Sequence, residues 1–434
     1  MTLTSDNPLP TTVAGTATTR PRGRRTVSRG VAFTVFALTL VVLFASSAAP
    51  SPFFVLYQQE WGFPSWLLTF AFAIYALTLL IALLTVGSLS DHIGRRPVLI
   101  GALVLQVAAM ALFAFAPNIE TVVLARALQG IATGAATGAL SAGLTDLATE
   151  RNKAIGLTVI SLAPVGGLAV GAIAAGVLIQ SDASPIPTTF LAFAAAFVLA
   201  LVFVVISPES VSGRPGALRS LRPHVSVPAL ARVEFRAALP VFLAGWMVGG
   251  LFLGLVPEIL RDTFHLESGL VSGGAIAVLS GVGALSIYLS RRVRARRVIV
   301  SASVALVAGI TIFIVAVVFE SLALFGPIPF VLLAIGTVFA GVGFGMAFAG
   351  EMRVIAPLAE AHQRAELFAA TYIVCYLSLG LPAIIAGLAI GTFHLVPTTI
   401  GYALIIIASA AIGAIAHALR GTRLSPAAAS GQPS

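Results

Sequence analysis

Residues 65–116 read SWLLTFAFAIYALTLLIALLTVGSLSDHIGRRPVLIGALVLQVAAMALFAFA. Two apolar runs, 65–88 and 98–116, flank a short loop that carries Asp91, His92, Arg95 and Arg96. A bilayer core of about 30 Å takes about 20 apolar residues as a helix, so each run is long enough to cross once. Neither run alternates apolar and polar positions as a membrane barrel strand does. The stretch therefore predicts two membrane helices joined on the side that holds the basic residues.

Working outward, ten more apolar runs follow the same pattern, at roughly 31–57, 121–146, 154–180, 187–207, 239–259, 267–290, 298–320, 327–351, 366–391 and 396–419. The whole chain has 434 residues, 58% hydrophobic and only 9% charged, with a mean hydropathy of +1.03. A soluble domain carries about 25% charged residues. An ordinary soluble enzyme, a disordered protein and a coiled coil are thereby excluded. The net charge of +9 would suggest nucleic acid in a soluble chain, but here charge must be read by position. With the N-terminus inside, 23 of the 25 Lys and Arg residues fall on cytoplasmic segments; the exceptions are Arg126 and Arg261. A wrong helix count would scramble this bias, so twelve helices with both termini cytoplasmic are expected. The Arg-rich 20–29 and the small residues Ser46–Ala49 outline a cleavable signal. The apolar run between them outlasts the 7–15 residues of such a signal, and cleavage would reverse every loop, so the first helix is expected to stay.

Residues 1–30, rich in Thr, Pro, Gly and Arg, read as a disordered cytoplasmic tail. A six-helix bundle over 31–207, a cytoplasmic central loop over 208–237, a second bundle over 238–420 and a cytoplasmic tail over 421–434 complete the expected organisation. The octet Leu89–Arg96 after helix two has an echo in Leu289–Arg296 after helix eight, where Leu, Ser and the last Arg coincide at an offset of 200. A parallel internal repeat fits it.

The loop itself is the most specific motif. Gly87, Asp91, Gly94, Arg95 and Arg96 sit at the spacing G-x-x-x-D-x-x-G-R-R. This resembles the loop-2/3 signature of the major facilitator superfamily, with His92 in place of the usual Arg or Lys. The resemblance implies two six-helix bundles with a site between them, and a conformational latch for the outward-facing state. Gly87 suits close helix packing, Gly94 suits a turn with positive φ, and Asp91 suits charge-assisted hydrogen bonds to a basic group or helix N-terminus of the other half. The two arginines serve equally well as topology charges.

Arg126, Gln129 and Gly130 in helix four resemble the R-x-x-Q-G signature of the same superfamily, which implies proton coupling or substrate charge at Arg126. An intramembrane arginine is costly and points to function, although Arg126 lies only about 9 Å from the outer helix end, within snorkelling reach. Gly167, Gly171 and Gly176 in helix five resemble the export signature of drug–proton antiporters, with Ala172 and Ala175 departing from it; close helix packing explains them equally well. Pro50 and Pro52 are expected to break helix one. Phe53, Tyr57, Tyr75, Trp246, Tyr372 and Tyr376 are candidates to line a central apolar pocket, with packing or an interface belt as the alternative. No carboxylate falls mid-segment; Asp146 and Glu258 are the candidates to carry protons, and Glu351 and Glu366 sit at cytoplasmic ends. Six scattered histidines and the lone Cys375 offer no metal site and no intrachain disulfide, and no nucleotide-binding loop occurs.

The expected fold is thus an all-α membrane protein, two six-helix bundles in a parallel pseudo-twofold repeat. The expected function is secondary active transport by alternating access, proton-coupled export of a small, largely apolar organic compound, without enzymatic activity or cofactor. Uptake or facilitated diffusion of a metabolite, and a non-transporting sensor on the same scaffold, are the alternatives. The expected partners are a small-molecule substrate, protons and the lipid bilayer, with no nucleic acid and no obligate protein partner. An Arg-to-Lys ratio of 24 to 1 suggests a GC-rich bacterial genome, hence a bacterial cytoplasmic membrane.

Overall fold

The computed structural model describes residues 27–87, 89–209, 215–217, 221–360 and 363–423. Most of the two expected tails and part of the central loop, including Arg214 and Arg219, lie outside the described residues. Among the described residues, twelve long helices follow one another: α1 (Arg29–Trp61), α2 (Ser65–Val86), α3 (Arg95–Ala114), α4 (Ile119–Leu147), α5 (Lys153–Ser181), α6 (Pro185–Ile206), α7 (Arg232–Asp262), α8 (Gly269–Ser290), α9 (Ala295–Ser321), α10 (Ile328–Ile355), α11 (Arg364–Phe393) and α12 (Leu395–Arg423). Eleven are long and apolar enough to cross a membrane. The remaining one, α4, has 29 residues but carries Arg126, Gln129 and a run of Gly and Thr. It is sheltered by α1, α2 and α3, so its polar groups meet protein instead of lipid.

Two helices are irregular. Helix α1 is interrupted at Ala49, directly before Pro50, where a break is expected from Pro50 and Pro52; the Ala49 N–H still donates to the Ala45 carbonyl at 3.2 Å, so Arg29–Ala48 and Pro50–Trp61 follow on from one another. Helix α7 passes through a π-helical turn at Leu251–Leu255. Pro257 offers no N–H to the Leu253 carbonyl, and a wider turn absorbs the lost bond. Helix α7 also starts at Arg232, inside the stretch assigned to the central loop.

The packing repeats itself. Within the first half α1 meets α4, α5 and α6, α2 meets α4, and α3 meets α4 and α6. Adding six to each number reproduces the main contacts of the second half: α7 with α10, α11 and α12, α8 with α10, and α9 with α10 and α12. Across the halves α5 packs on α8 and α2 on α11, and these two pairs also exchange under the same shift. This is the parallel pseudo-twofold repeat. Each half has its own apolar core, exemplified by Phe113 stacked on Phe190 at 4.7 Å in the first and Phe252 against Phe313 at 5.6 Å in the second. Lipid removes the hydrophobic contrast, so dispersion and close backbone approach hold such helices together. At the α5–α8 crossing a Cβ on Gly176 would lie 2.6 Å from the Gly269 carbonyl oxygen, and one on Gly273 2.3 Å from that of Ala172. Only glycine allows that approach.

Candidate functional site

A cavity of about 720 Å³ lies between the halves. It is walled by α1, α2, α4 and α5 on one side and by α7, α8, α10 and α11 on the other. At one end the halves are locked: the Ser65 hydroxyl donates to Glu258, the Ser268 hydroxyl donates to Gln180 at 3.1 Å, and the α5–α8 glycines meet. At the other end the halves part, and Arg291 and Arg353 line the mouth. That is the end of the arginine-rich loops.

Of the six aromatics expected to line a pocket, Tyr75, Trp246, Tyr372 and Tyr376 do so. Trp246 meets Tyr376 edge-on at 4.9 Å and Phe348 at 6.0 Å, and Phe348 stacks with Tyr372 at 6.0 Å. Phe53 and Tyr57 do not line it. Four residues apart on one face of α1, they turn into the first half's core: Phe53 packs on Phe190, and Tyr57 stacks on Trp61 and donates to the Phe113 carbonyl at 3.3 Å. Phe348, one helical turn from the end of α10's apolar stretch, is a cavity residue that sequence reasoning missed; a Phe in an all-apolar helix gives no sign of its facing.

Arg126 is fully buried. Its Nη1 donates to the Ser47 carbonyl at 3.0 Å and to Gln129 Oε1 at 2.9 Å. The guanidinium lies 4.8 Å from the Tyr75 ring centre and 5.3 Å from that of Phe54. It points inward, so the snorkelling geometry is not adopted. Gln129 in turn donates to the Ser46 carbonyl at 2.8 Å, and Gln106 of α3, another residue missed, donates to the Ser46 hydroxyl at 3.0 Å. Nε and Nη2 of Arg126 have no hydrogen-bond partner. Hydrogen bonds to a charge contribute about 1.5–3 kcal/mol each and each cation–π contact about 0.5–2 kcal/mol, which offsets part of the desolvation cost. Ser47 and Tyr75 both line the cavity, so Arg126 stands directly behind its wall. Gly130 takes no part in charge chemistry: a Cβ there would lie 2.4 Å from the Tyr75 carbonyl oxygen, so it is the close-contact point of α4 with α2.

The loop motif forms a cluster within its own half. Arg95 pairs with Asp91, donates to the Ser90 hydroxyl at 2.7 Å and reaches Asp146 at 3.3 Å. Gly94 has φ +102°, the left-handed value its turn needs. Gly87, with φ −54°, is ordinary helix and meets α4 beside Gly138. The Arg95 and Arg96 amides donate to the two carboxylate oxygens of Glu209 at 2.9 and 3.0 Å, so the start of the central loop caps α3. Glu209 was missed because it lies 114 residues away in sequence. Among the described residues Asp91 is seen to pair with Arg95 of its own half, and its side chain is 56% exposed.

The two carboxylates proposed for protons stand apart. Asp146 belongs to the loop cluster, about 30 Å along α4 from Arg126. Glu258 is buried at the locked end; one oxygen accepts from Ser65 and the other has no hydrogen-bond partner. Arg261 beside it bonds to Asp262. In helix five, Gly167 and Gly171 face α1, where a Cβ on Gly171 would overlap the Ala45 carbonyl, whereas Gly176 faces α8. A further pair escaped the sequence reading: Glu351 of α10 and His417 of α12, both fully buried, with Nε2 2.9 Å from Oε1. Among the described residues no cluster of ligands for a metal ion occurs.

The family model described as Major Facilitator Superfamily matches residues 35–381. The chain belongs to the major facilitator superfamily. Inner membrane transport protein YajR of Escherichia coli (strain K12) is 34% identical over 131 residues, 30% of this chain and 28% of that protein. The class C tetracycline resistance protein of Escherichia coli is 32% identical over 220 residues, 49% of this chain and 54% of that one. Inner membrane transport protein YnfM of Escherichia coli (strain K12) is 28% identical over 248 residues, covering 55% and 57%. The matches thus span from about a quarter to just over half the length of these relatives. The chain is a multi-pass membrane protein of this superfamily.

Proposed function

We propose that the chain is a secondary active transporter that exports a small, largely apolar organic compound in exchange for protons from a bacterial cytoplasm. The cavity between the halves carries this reading, because it is locked at one end and open at the other. Placing the arginine-rich loops in the cytoplasm makes this the inward-open state. Rocking the halves about the α5–α8 and α2–α11 pairs would close the mouth and part Ser65 from Glu258. Asp91, exposed in this state, would then take its partner from the other half. Similarity to a tetracycline resistance protein supports a drug-sized cargo and outward movement.

Coupling falls to groups outside the cavity. Glu258 sits where the lock opens, and Arg126 stands behind the wall, so a proton or a substrate charge at either site would bias one state. Uncoupled facilitation is the second reading, favoured by one observation: no carboxylate lines the cavity among the described residues.

The test is substrate-dependent proton movement in proteoliposomes with a pH dye inside. Proton movement that requires one compound, is lost in Arg126→Ala and persists in part in Arg126→Lys supports exchange. Compound flux with no proton signal refutes the coupling, and absence of flux for every compound refutes transport.

A further inference from the structure

The sign of the charge around the cavity is one-sided. Its wall is aromatic, and its only charged lining residues among those described are Arg291 and Arg353. Arg291 stacks on Tyr288 at 4.1 Å. Arg353 donates to the Ser290 carbonyl at 3.1 Å and to that of Val293. Both arginines satisfy themselves on neutral groups, so neither positive charge is cancelled by these contacts. A third cation, Arg126, lies behind Tyr75, and its acceptors, the Ser47 carbonyl and Gln129 Oε1, are also neutral.

We infer that the cavity selects flat aromatic compounds that carry no positive charge, neutral ones deep against Trp246 and Tyr376 and anionic ones with the charge turned toward Arg291 and Arg353. The inference rests on the proposed function only in taking the cavity as the substrate site. A desolvated ammonium group needs a carboxylate or a free aromatic face. No carboxylate lines the cavity among the described residues. One face of Tyr75 is already taken by the Arg126 guanidinium, and an ammonium on any ring face that remains is opposed by the positive charge of the three arginines. Arg126, fully buried, adds repulsion that aqueous screening reaches poorly, and Arg291 and Arg353, exposed at the mouth, add a smaller, screened share. An anion meets the reverse: its desolvation is offset at the mouth, while its ring still stacks on the wall. The volume of about 720 Å³ suits one drug-sized molecule.

Binding of three matched probes tests this: 2-naphthol, 2-naphthoate and 2-naphthylmethylammonium, by equilibrium dialysis of the detergent-solubilised full chain at pH 7 against protein-free micelles. The neutral and anionic probes are expected to bind at least about tenfold tighter than the cation. The double variant Arg291→Gln/Arg353→Gln should weaken naphthoate about tenfold and leave naphthol unchanged. Trp246→Leu should weaken all three, which separates cavity binding from uptake into the micelle. Equal or tighter binding of the cation overturns the inference, as does absence of Trp246-dependent binding for every probe. Charge-selective binding without flux in proteoliposomes would overturn the proposed transport and leave the selectivity standing.

Discussion

Valine at position 273 should tip the molecule out of the conformation described here. Gly273 lies in the locked portion of the α5–α8 crossing, where an added Cβ would stand 2.3 Å from the Ala172 carbonyl oxygen and 3.0 Å from Gly176 Cα. Ordinary contact needs about 3.4 Å or more, and both neighbours are backbone, so the helices must part by about 1 Å. Overpacking of this kind costs about 1–3 kcal/mol. The cost falls on the state in which this end is closed, so the ratio of open-at-the-arginine-end to opposite state should drop about 5- to 150-fold. Thr158 lines the cavity toward the arginine-rich end and serves as reporter: Thr158→Cys in a Cys375→Ser background, labelled with an impermeant maleimide from that side of the membrane. Labelling of Gly273→Val should slow accordingly. The control is Gly274→Val, one position on, where a Cβ meets nothing within 4 Å. If both variants label alike at equal thermal stability, the crossing is not the closed-end contact argued here.

Three further substitutions separate the roles assigned above. Asp91→Asn should cost no more than about 1 kcal/mol of stability, because the pair it makes with Arg95 is half exposed, yet flux should fall; wild-type flux with normal insertion would end the latch role. Glu258→Gln keeps the acceptor for Ser65 and removes the ionisable group, so ligand binding should persist while the proton signal disappears in the vesicle assay; an unchanged proton signal clears Glu258 of coupling. Tyr57→Phe removes one buried hydrogen bond to the Phe113 carbonyl and should lower stability by about 1 kcal/mol with no change in probe affinity, whereas a loss of affinity in a stable Tyr57→Phe protein would place Tyr57 back at the cavity.

The helices were legible because their ends are chemically marked. Pro64 precedes α2, and Arg95 opens α3 after the Gly94 turn. Helix α7 escaped this logic because its first turns are charged, and Glu234 there reaches Arg296 in the first turn of α9 at 3.6 Å, outside the apolar stretch. The facing of side chains was less legible. In a helix apolar all round, nothing in the order of letters tells Phe53 and Tyr57, which face inward, from Tyr75, which faces the cavity. Arg126 was visible as an anomaly, and Gln129 one turn on hinted at its partner, but whether it turned outward or inward depended on Ser46 and Ser47 of another helix. Glu209 and the Glu351–His417 pair join positions distant in the chain, which spacing alone does not bring together.

The two halves share a packing plan but not a charge plan, and the difference bears on how each end can move. In the first half the arginine opens the helix after the loop and the acid ends another helix: Arg95 of α3 reaches Asp146 of α4. In the second half the arginine sits on the helix and the loop supplies only carbonyls: Arg353 of α10 reaches Ser290 and Val293. The Ser290 carbonyl lies at the C-terminus of α8, where the helix dipole is negative, so it stands in for the missing carboxylate. An ion pair between side chains is lost when Asp91 or Asp146 turns to another partner, whereas a main-chain carbonyl is held in place by its helix. Under the proposed rocking motion, the first half's loop would be the one whose hold is exchanged for a partner across the mouth, and the second half's loop the wall against which it closes. This asymmetry also explains why the offset of 200 preserves Leu, Ser and Arg in the two octets but not Asp91, whose counterpart is Arg291 at the cavity mouth.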